Sequence, residues 1–188
     1  MHPQAYWEWF AQENAREGVA PNAAHRFVAD LERAGKLSAV VTQNIDGLHQ
    51  RAGSERVLEL HGNWSRLTCT GCGEHVTLDD VDGARSGEVP HCLACASVLR
   101  PDIVFYGEML DSDVIEGAVR AISEADLLIV AGTSLVVYPA AGLIDYYAGE
   151  RLVLMNATPT PYDSRADLII RDPVGQVFEE LGRRSLQA

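Results

Sequence analysis

The four cysteines of this chain form two Cys-x-x-Cys pairs, Cys69 with Cys72 and Cys92 with Cys95, separated by residues 73–91. This spacing is typical of a zinc ribbon, because each pair can aim two thiolates at one point and two pairs complete a tetrahedron around Zn²⁺. Two disulfides or one redox-active pair are the alternatives. The opening residues do not read as a secretory signal, and a redox pair needs no second copy at this distance. We therefore expect a structural Zn²⁺ that folds an otherwise polar loop.

The segment between the cysteine pairs is acidic, as is the chain as a whole. Arg85 is its only basic side chain apart from histidine, and its carboxylates are Glu74, Asp79, Asp80, Asp82 and Glu88. The chain has 15 Lys and Arg against 27 Asp and Glu. Because phosphate binding depends on Lys and Arg, a zinc-ribbon nucleic-acid module is disfavoured and no nucleic-acid partner is expected. His75 and His91 lie beside the cysteines, but four thiolates complete the ligand set without them.

Length and composition indicate a globular protein of one domain with an inserted module. The chain has 188 residues, 47% hydrophobic and 22% charged, and can bury a core without a disulfide scaffold. One uncharged stretch, residues 127–144, just reaches the length of a membrane span. It contains Gly132, Pro139 and Gly142 and lacks a basic flank. We interpret it as a buried strand, a turn and a helix, and expect no membrane partner.

Strand and helix patterns alternate along the chain. Helices are predicted over 3–17, from an Asn22 cap to Arg33, and over 112–124, 139–148 and 174–183; strands are predicted over 37–42, 57–60, 102–105, 125–132, 151–156 and 166–170. The apolar run at 125–132, closed by Gly132, is typical of a strand buried on both faces. This alternation predicts an α/β fold with a doubly wound parallel sheet.

Polar residues follow two of the predicted strands. Gln43, Asn44 and Asp46 come directly after strand 37–42, and His61 follows strand 57–60. Ligands bind at the carboxyl ends of strands in open α/β sheets, where two amides and a carboxylate can hold ribose hydroxyls or a carboxamide. Taken alone, however, Asn-x-Asp-Gly is typical of a turn, and a single histidine after a strand is more often packed than catalytic.

Six motifs in a fixed order favour the ligand site. They are TQNIDGLHQRAG (42–53), LELHGN (58–63), the paired cysteines, RPDIVFYGE (100–108), GTSLVVYPAA (132–141) and MN (155–156). In this order they resemble the sirtuin family, the NAD-dependent protein lysine deacylases, over nearly the whole chain. The resemblance implies a Rossmann-like parallel sheet over 1–63 and 99–188, with a small zinc-ribbon domain over 64–98.

The resemblance implies NAD as cofactor and assigns residues to it. His61 would be the general base that deprotonates a ribose hydroxyl. Asn44 would position a water or a ribose hydroxyl at the reacting carbon, and Asp46 would hold the nicotinamide carboxamide. The other implied cofactor contacts are Gln43, Ile45, Gly132, Thr133, Ser134, Asn156 and Val174.

An acylated lysine peptide or protein is the partner that the resemblance implies, bound as a strand between two loops. The implied contacts are Val104, Tyr106, Gly107 and Glu108 in one loop and Val136 and Val137 in the other. Val104 and Tyr106 would line the acyl-lysine tunnel, where the family often has Phe in place of Tyr106. The implied chemistry is attack of the acyl oxygen on C1′ of the nicotinamide ribose, which releases nicotinamide and yields free lysine and an O-acyl-ADP-ribose.

The acyl group is expected to be uncharged. Family members that remove acidic acyl groups carry a Tyr and an Arg on the helix before the QNID motif, and alignment through HPQAYWEW places Phe10 and Glu13 there. Neither side chain can pair with a carboxylate, and Glu13 would repel one. We therefore expect acetyl or another uncharged acyl group.

The main departure from the family lies at the start of the chain. Sirtuins open with a strand and a Gly-Ala-Gly phosphate loop, whereas the first glycine here is Gly18. That strand would occupy the middle of a dinucleotide-binding sheet, and the loop would place the pyrophosphate at a helix N-terminus. We therefore expect an N-terminally truncated deacylase with poor NAD binding and weak activity. A non-catalytic relative that binds acyl peptides is the alternative. A cytoplasmic location is expected, and no oligomeric state is indicated.

Overall fold

The computed structural model describes residues 2–14 and 19–185. In chain order its elements are α1 (Pro3–Asn14), α2 (Ala23–Arg33), β1 (Val40–Thr42), α3 (Leu48–Arg51), β2 (Val57–Glu59), β3 (Gly62–Cys69), β4 (His75–Thr77), β5 (Leu99–Ile103), α4 (Ser112–Ser123), β6 (Leu128–Ala131), β7 (Leu152–Met155), β8 (Leu168–Ile170) and α5 (Val174–Ser185). Short 3₁₀ helices span Leu78–Asp80, Ala84–Ser86, Ala140–Tyr146 and Asp163–Arg165.

These elements belong to two compact units. The first comprises Met1–Ala20, Asn44–Gly47 and His61–Met109. The second comprises Pro21–Gln43, Leu48–Leu60 and Leu110–Ala188. The division into a Rossmann-like domain and a zinc-ribbon domain over 64–98 stays a prediction.

The first unit is built on a three-stranded antiparallel sheet in the order β4-β3-β5. The register of β3 against β5 shifts between Asn63 and Leu67, so this pair contains a bulge. Pro101 lies in β5 opposite Leu67 and is fully buried. A proline cannot donate to a strand ladder, and a bulge is one of the few places in a sheet that tolerates it.

Aromatic side chains of α1 form the core of the first unit together with the sheet. Trp7 and Phe10 are each only 1% exposed, and their ring centroids lie 5.1 Å apart. Phe10 also contacts Trp64 of β3 edge to face at 5.8 Å. Burial raises the pKa of Tyr6, on the same helix, to about 12. Since each large aromatic ring buries about 150–250 Å² of surface, α1 anchors this small sheet.

The strand pairs in the described part of the second unit are all parallel, which confirms the predicted α/β class. β1 pairs with β2, and a separate sheet has the order β6-β7-β8. Both sheets pack on one apolar cluster, to which β1 contributes Val41 and β6 contributes Leu128 and Val130. Among residues 2–14 and 19–185, no strand pairs with the other edge of β1 or of β6. The parallel strands therefore form two sheets here instead of one continuous sheet.

Helices of the second unit begin where the sequence predicts them. Asn22 caps α2, as expected: its Oδ1 accepts the N–H groups of Ala24 at 2.9 Å and His25 at 3.2 Å. Helix α2 packs against α5, and the ring centroids of Phe27 and Phe178 lie 5.5 Å apart. Predicted helix 112–124 is observed as α4, which begins after the capping carboxylate of Asp111.

Several elements differ from the sequence prediction. The strand predicted over 125–132 is the shorter β6, and it is not buried on both faces, because Ile129 and Ala131 are exposed. The strand predicted over 102–105 is β5, which begins and ends earlier, and the one predicted over 37–42 begins only at Val40. The helix predicted over 139–148 is a 3₁₀ helix, Ala140–Tyr146, which begins after Pro139 and contains Gly142. Residues 15–17 of the first predicted helix lie outside the described residues. Within the described part of the chain, no helix has the length and apolar character needed to cross a membrane.

Candidate functional site

The four cysteine sulfur atoms lie together in the first unit. All four Sγ atoms are within 4.8 Å of one another. Cys69 and Cys95 are 3.4 Å apart, and Cys72 and Cys92 are 3.7 Å apart. Four sulfurs at the usual Zn–S distance of about 2.3 Å in a tetrahedron lie about 3.8 Å apart, so these residues fit one Zn²⁺. A disulfide needs a sulfur separation of about 2.05 Å, and all four cysteines are free.

Donors around Cys69 and Cys95 favour the thiolate forms that bind zinc, whereas hydrogen bonds with these two sulfurs raise the pKa of the Cys72 thiol to about 12. The N–H groups of Gly71 and Cys72 each lie 3.4 Å from Cys69 Sγ. Hydrogen bonds from Ser97 lower the pKa of the Cys95 thiol to about 6. Because the thiolate is the metal ligand, these donors stabilise the form that the ion requires. A four-sulfur site leaves no open position for water, so its Zn²⁺ is structural.

The two histidines beside the cysteines take other partners. His75 Nδ1 lies 2.9 Å from Thr68 Oγ1, and His91 Nδ1 lies 3.0 Å from the carbonyl O of Ala96. Within the described residues, the metal-binding cluster consists of the four cysteines alone. This agrees with the prediction that both histidines are bystanders.

The loop that follows β1 is held against the start of β3 within the first unit. The Trp64 N–H donates to the carbonyl O of Ile45 over 3.2 Å. Gly47 has a φ of +64°, and a Cβ there would lie 3.3 Å from Asn63 Nδ2. A side chain at this position would be both strained and crowded, so glycine suits the turn. The loop that carries Asn44, Ile45 and Asp46 is thus tied to the segment just after His61.

His61 directly precedes β3. Its carbonyl O accepts the N–H of Val104 over 3.0 Å. The next residue, Gly62, has a φ of +75°, and a Cβ there would lie only 1.9 Å from the carbonyl O of Asp102. Strands β3 and β5 therefore approach each other very closely beside His61. Backbone hydrogen bonds thus bring residues 45, 61–64 and 104 into one region of the first unit.

The predicted substrate loop of the first unit follows β5. Val104 is half-buried, Tyr106 is fully exposed at 101%, and Gly107 has a φ of +89° with nothing near the position of a Cβ. Glu108 Oε2 accepts the N–H of Phe105 over 3.0 Å and a hydrogen bond from Arg100. The Arg100 guanidinium, followed by the Phe105 N–H, lowers the pKa of the Glu108 carboxyl.

In the second unit, the predicted phosphate turn lies at the carboxyl end of β6. Gly132 has a φ of +66° with open space where a Cβ would be, and its N–H donates to the carbonyl O of Met155 over 2.9 Å. Thr133 Oγ1 accepts the N–H of Leu135 at 3.3 Å and lies 3.5 Å from Gln43 Nε2. Ser134 is exposed. The turn is fixed at its base and open at its surface.

Asn156 lies at the carboxyl end of the neighbouring strand, β7. Its Nδ2 donates to the carbonyl O of Thr158 over 2.9 Å. The Arg171 guanidinium donates to the carbonyl O atoms of Asn156 and Thr158 at 2.9 and 3.0 Å, and it pairs with Asp163. Contacts with backbone carbonyl groups cannot be read from residue type, so neither Arg171 nor Arg100 was predicted.

The remaining predicted residues also lie in the second unit. Val174 is half-buried at the start of α5. Val136 and Val137 are 58% and 44% exposed, and they follow Leu135, a buried residue with a φ of +54°. Both valines are therefore accessible at the surface of the second unit.

The predicted site residues thus form two groups, one in each unit. In the first unit are Asn44, Ile45, Asp46, His61, Val104, Tyr106, Gly107, Glu108 and the four cysteines; in the second are Gln43, Gly132, Thr133, Ser134, Val136, Val137, Asn156 and Val174. Their individual roles stay predictions.

Comparison with known proteins identifies the family. The model of the Sir2 family matches residues 1–139. Proteins named "NAD-dependent protein deacetylase" from Clostridium acetobutylicum and Clostridium perfringens are 49% and 50% identical over 178 residues, which cover 95% and 94% of this chain and 72% of each relative. The solved structure "Sir2-p53 peptide-NAD+" is 40% identical with a TM-score of 0.86, covering 100% of this chain and 80% of that one. "Sir2 bound to acetylated peptide" gives the same identity, TM-score and coverage. The chain belongs to the Sir2 family.

Proposed function

We propose that this chain is an NAD-dependent protein lysine deacylase that acts on lysine carrying an acetyl or another uncharged acyl group. The observation that carries the proposal is its identity of 49–50% over nearly its whole length to two proteins named NAD-dependent protein deacetylase. A related solved structure contains an acetylated peptide. The fixed order of the polar motifs supports the same activity.

When bound, NAD supplies the ribose carbon that accepts the acyl oxygen as nicotinamide leaves. We assign the proton transfer to His61, whose imidazole takes the proton from a ribose hydroxyl. Asn44 orients a water or hydroxyl group, and Asp46 accepts hydrogen bonds from the carboxamide. The loop that carries both residues is tied to Trp64 through Ile45, which favours a fixed geometry.

We assign the remaining contacts with NAD to the second unit. Gly132 leaves room for a phosphate to approach the backbone, and Thr133 and Ser134 carry hydroxyl donors. Asn156 follows the adjacent parallel strand, where the amide suits a ribose hydroxyl. Gln43, whose Nε2 lies 3.5 Å from Thr133 Oγ1, contacts the nicotinamide ribose. Val174 contributes a backbone contact to the adenine.

The acyl-lysine peptide binds through exposed backbone and apolar side chains in this proposal. Val104 and Tyr106 line the acyl chain, with Gly107 and Glu108 along the peptide; Val136 and Val137 supply a second stretch of backbone. Backbone pairing gives affinity with little dependence on peptide sequence. The four-cysteine Zn²⁺ stabilises the fold and takes no part in the reaction. A cytoplasmic location suits four cysteines that form no disulfide, because a reducing compartment keeps them available to the metal.

Nicotinamide release from NAD and an acetylated peptide tests the proposal. His61→Ala should lower the rate by at least about 100-fold, the usual contribution of a general base. His75→Gln is the matched control, because His75 is an exposed histidine of the same unit outside the proposed machinery. Acetylated peptide should react faster than succinylated peptide, since Phe10 is buried in the core and Glu13 carries a negative charge. A faster reaction with succinylated peptide would contradict the acyl assignment.

The same assay separates the alternative function. A protein that binds the acetylated peptide but releases no nicotinamide at saturating NAD would be a non-catalytic acyl-peptide-binding relative. We expect weak NAD binding and slow turnover, because no strand in the described part of the chain joins β1 to β6. Micromolar NAD affinity with rapid turnover would contradict that expectation.

A further inference from the structure

Arg100 makes three contacts within one turn of the first unit. Its Nη2 donates to the carboxylate of Glu108 and lies 3.3 Å from the carbonyl O of Ile103. Its guanidinium carbon lies 5.1 Å from the centre of the Phe105 ring, within the range of a cation–π contact. The side chain is one-third exposed, so these contacts are partly shielded from water. A planar guanidinium can make all of them at once, whereas an ammonium group cannot.

The acceptor of Arg100, Glu108, closes the turn in two ways. Its N–H donates to the carbonyl O of Phe105 over 3.0 Å, and its Oε2 accepts the N–H of the same residue over 3.0 Å. Hydrogen bonds that involve an ionised carboxylate are about twice as strong as neutral ones. The Arg100–Glu108 pair therefore fixes both ends of the segment 105–108.

The tip of this turn depends on that closure. Tyr106 is fully exposed, and nothing lies within 4 Å of the position that a Cβ on Gly107 would take. The base of the turn is anchored elsewhere: the Val104 N–H donates to the carbonyl O of His61, and the Phe105 ring contacts Tyr6 of α1 edge to face at 5.7 Å. Loss of the Arg100 contacts would free the tip while leaving the base attached beside His61.

We propose that Arg100 is a positioning residue for the acyl-lysine peptide: through Glu108 and Phe105 it holds the turn 104–108 in the shape that receives the peptide backbone. This inference rests on the proposed deacylase function. Arg100 touches neither the peptide nor NAD in this role. It lowers the entropy that the turn loses when a peptide strand pairs with it, and so it acts on peptide affinity and not on the chemical step.

Three variants and one control test the proposal. Arg100→Gln and Glu108→Gln remove the charges at similar size, and the double variant tests whether the two act as one unit. Arg85→Gln is the matched control, because Arg85 pairs with Asp79 on the surface of the same unit. We expect Arg100→Gln to raise the KM for acetylated peptide about tenfold, comparable to the loss of one charged hydrogen bond. It should change kcat and the KM for NAD less than about twofold, and Glu108→Gln should add little to Arg100→Gln.

Amide hydrogen exchange gives a readout that does not depend on activity. The Phe105 and Glu108 amides should exchange faster in Arg100→Gln than in the unmodified protein, while Arg85→Gln leaves them unchanged. Equal exchange in the unmodified protein, Arg100→Gln and Arg85→Gln would show that Arg100 does not hold the turn. A lower kcat at unchanged peptide KM would overturn the positioning role. If the unmodified protein neither binds acetylated peptide nor releases nicotinamide, the proposed function fails, and the positioning role fails with it. The exchange result still decides whether Arg100 holds the turn 104–108.

Discussion

At the scale of single residues, Gly62 is the glycine with the least room for a Cβ among those that the structure describes. A Cβ at Gly62 would lie 1.9 Å from the carbonyl O of Asp102, and φ is +75°. Gly62→Ala must therefore push β3 away from β5 beside His61. We expect the free energy of unfolding to fall by about 3 kcal/mol or more, since strain and a backbone clash add. Denaturant titration followed by tryptophan fluorescence measures the change.

Gly107→Ala is the control for Gly62→Ala within the same unit. Gly107 also has a positive φ, +89°, but nothing lies within 4 Å of where its Cβ would be. It should cost only the conformational strain of about 1–2 kcal/mol. Equal losses at the two positions would show that the close approach of the strands contributes nothing.

Residue type predicted some site positions and could not predict others. The cysteine spacing predicted the four-cysteine cluster, because two Cys-x-x-Cys pairs have only a few ways to aim four sulfurs at one ion. His61 and Asn44 were assigned through their motifs. Arg100 and Arg171 act on carbonyl groups and on carboxylates several residues away, such as Glu108 and Asp163, and these contacts exist only after the turns fold.

At the scale of elements, the start of α2 depends on one side chain. Asn22 Oδ1 accepts two N–H groups of the first turn, and His25 Nδ1 accepts the Asn22 N–H over 3.3 Å. Asn22→Ala should lower the free energy of unfolding by about 1 kcal/mol, the usual cost of a lost cap. Asn22→Ser keeps an acceptor oxygen and should cost much less. Identical losses in thermal or denaturant unfolding would contradict the capping role.

The positions of apolar strands and periodic helices were predictable, whereas the burial of β6 on both faces was predicted wrongly, because Ile129 and Ala131 on one face are exposed. The strands of the second unit were expected from their apolar runs, and the capped helices α2 and α4 from their periodicity. β3 was missed because its bulge breaks the alternation: Ser65 and Arg66 are both exposed, although they are neighbours on one strand. The segment after Pro139 was given the wrong helix type because a 3₁₀ turn and one turn of α-helix have nearly the same apolar spacing.

At the scale of the whole molecule, the three tryptophans report on one unit only. Trp7, Trp9 and Trp64 all belong to the unit that contains the cysteine cluster. Structural zinc contributes about 10 kcal/mol or more to folding in small zinc domains at neutral pH. Removal of the metal with a strong chelator should therefore shift tryptophan emission to the red. The second unit has its own apolar core, so most of the helical circular dichroism should remain.

Cys72→Ser supplies the control for chelation. Its emission should resemble that of the chelated protein and should not recover when excess Zn²⁺ is added, whereas the unmodified protein should recover. Loss of the helical signal in step with the tryptophan shift would contradict independent stability of the second unit.

The exposed edge of β6 also governs how the protein behaves at high concentration. Leu127 and Ile129 are 46% and 37% exposed beside an edge that has no partner strand within residues 2–14 and 19–185. Such edges can seed intermolecular pairing, and the mutual repulsion of chains with a net charge of −12 opposes it. Salt shortens the range of that repulsion to about 8 Å at physiological ionic strength. We therefore expect light scattering to find dispersed molecules in dilute buffer and aggregates in concentrated electrolyte.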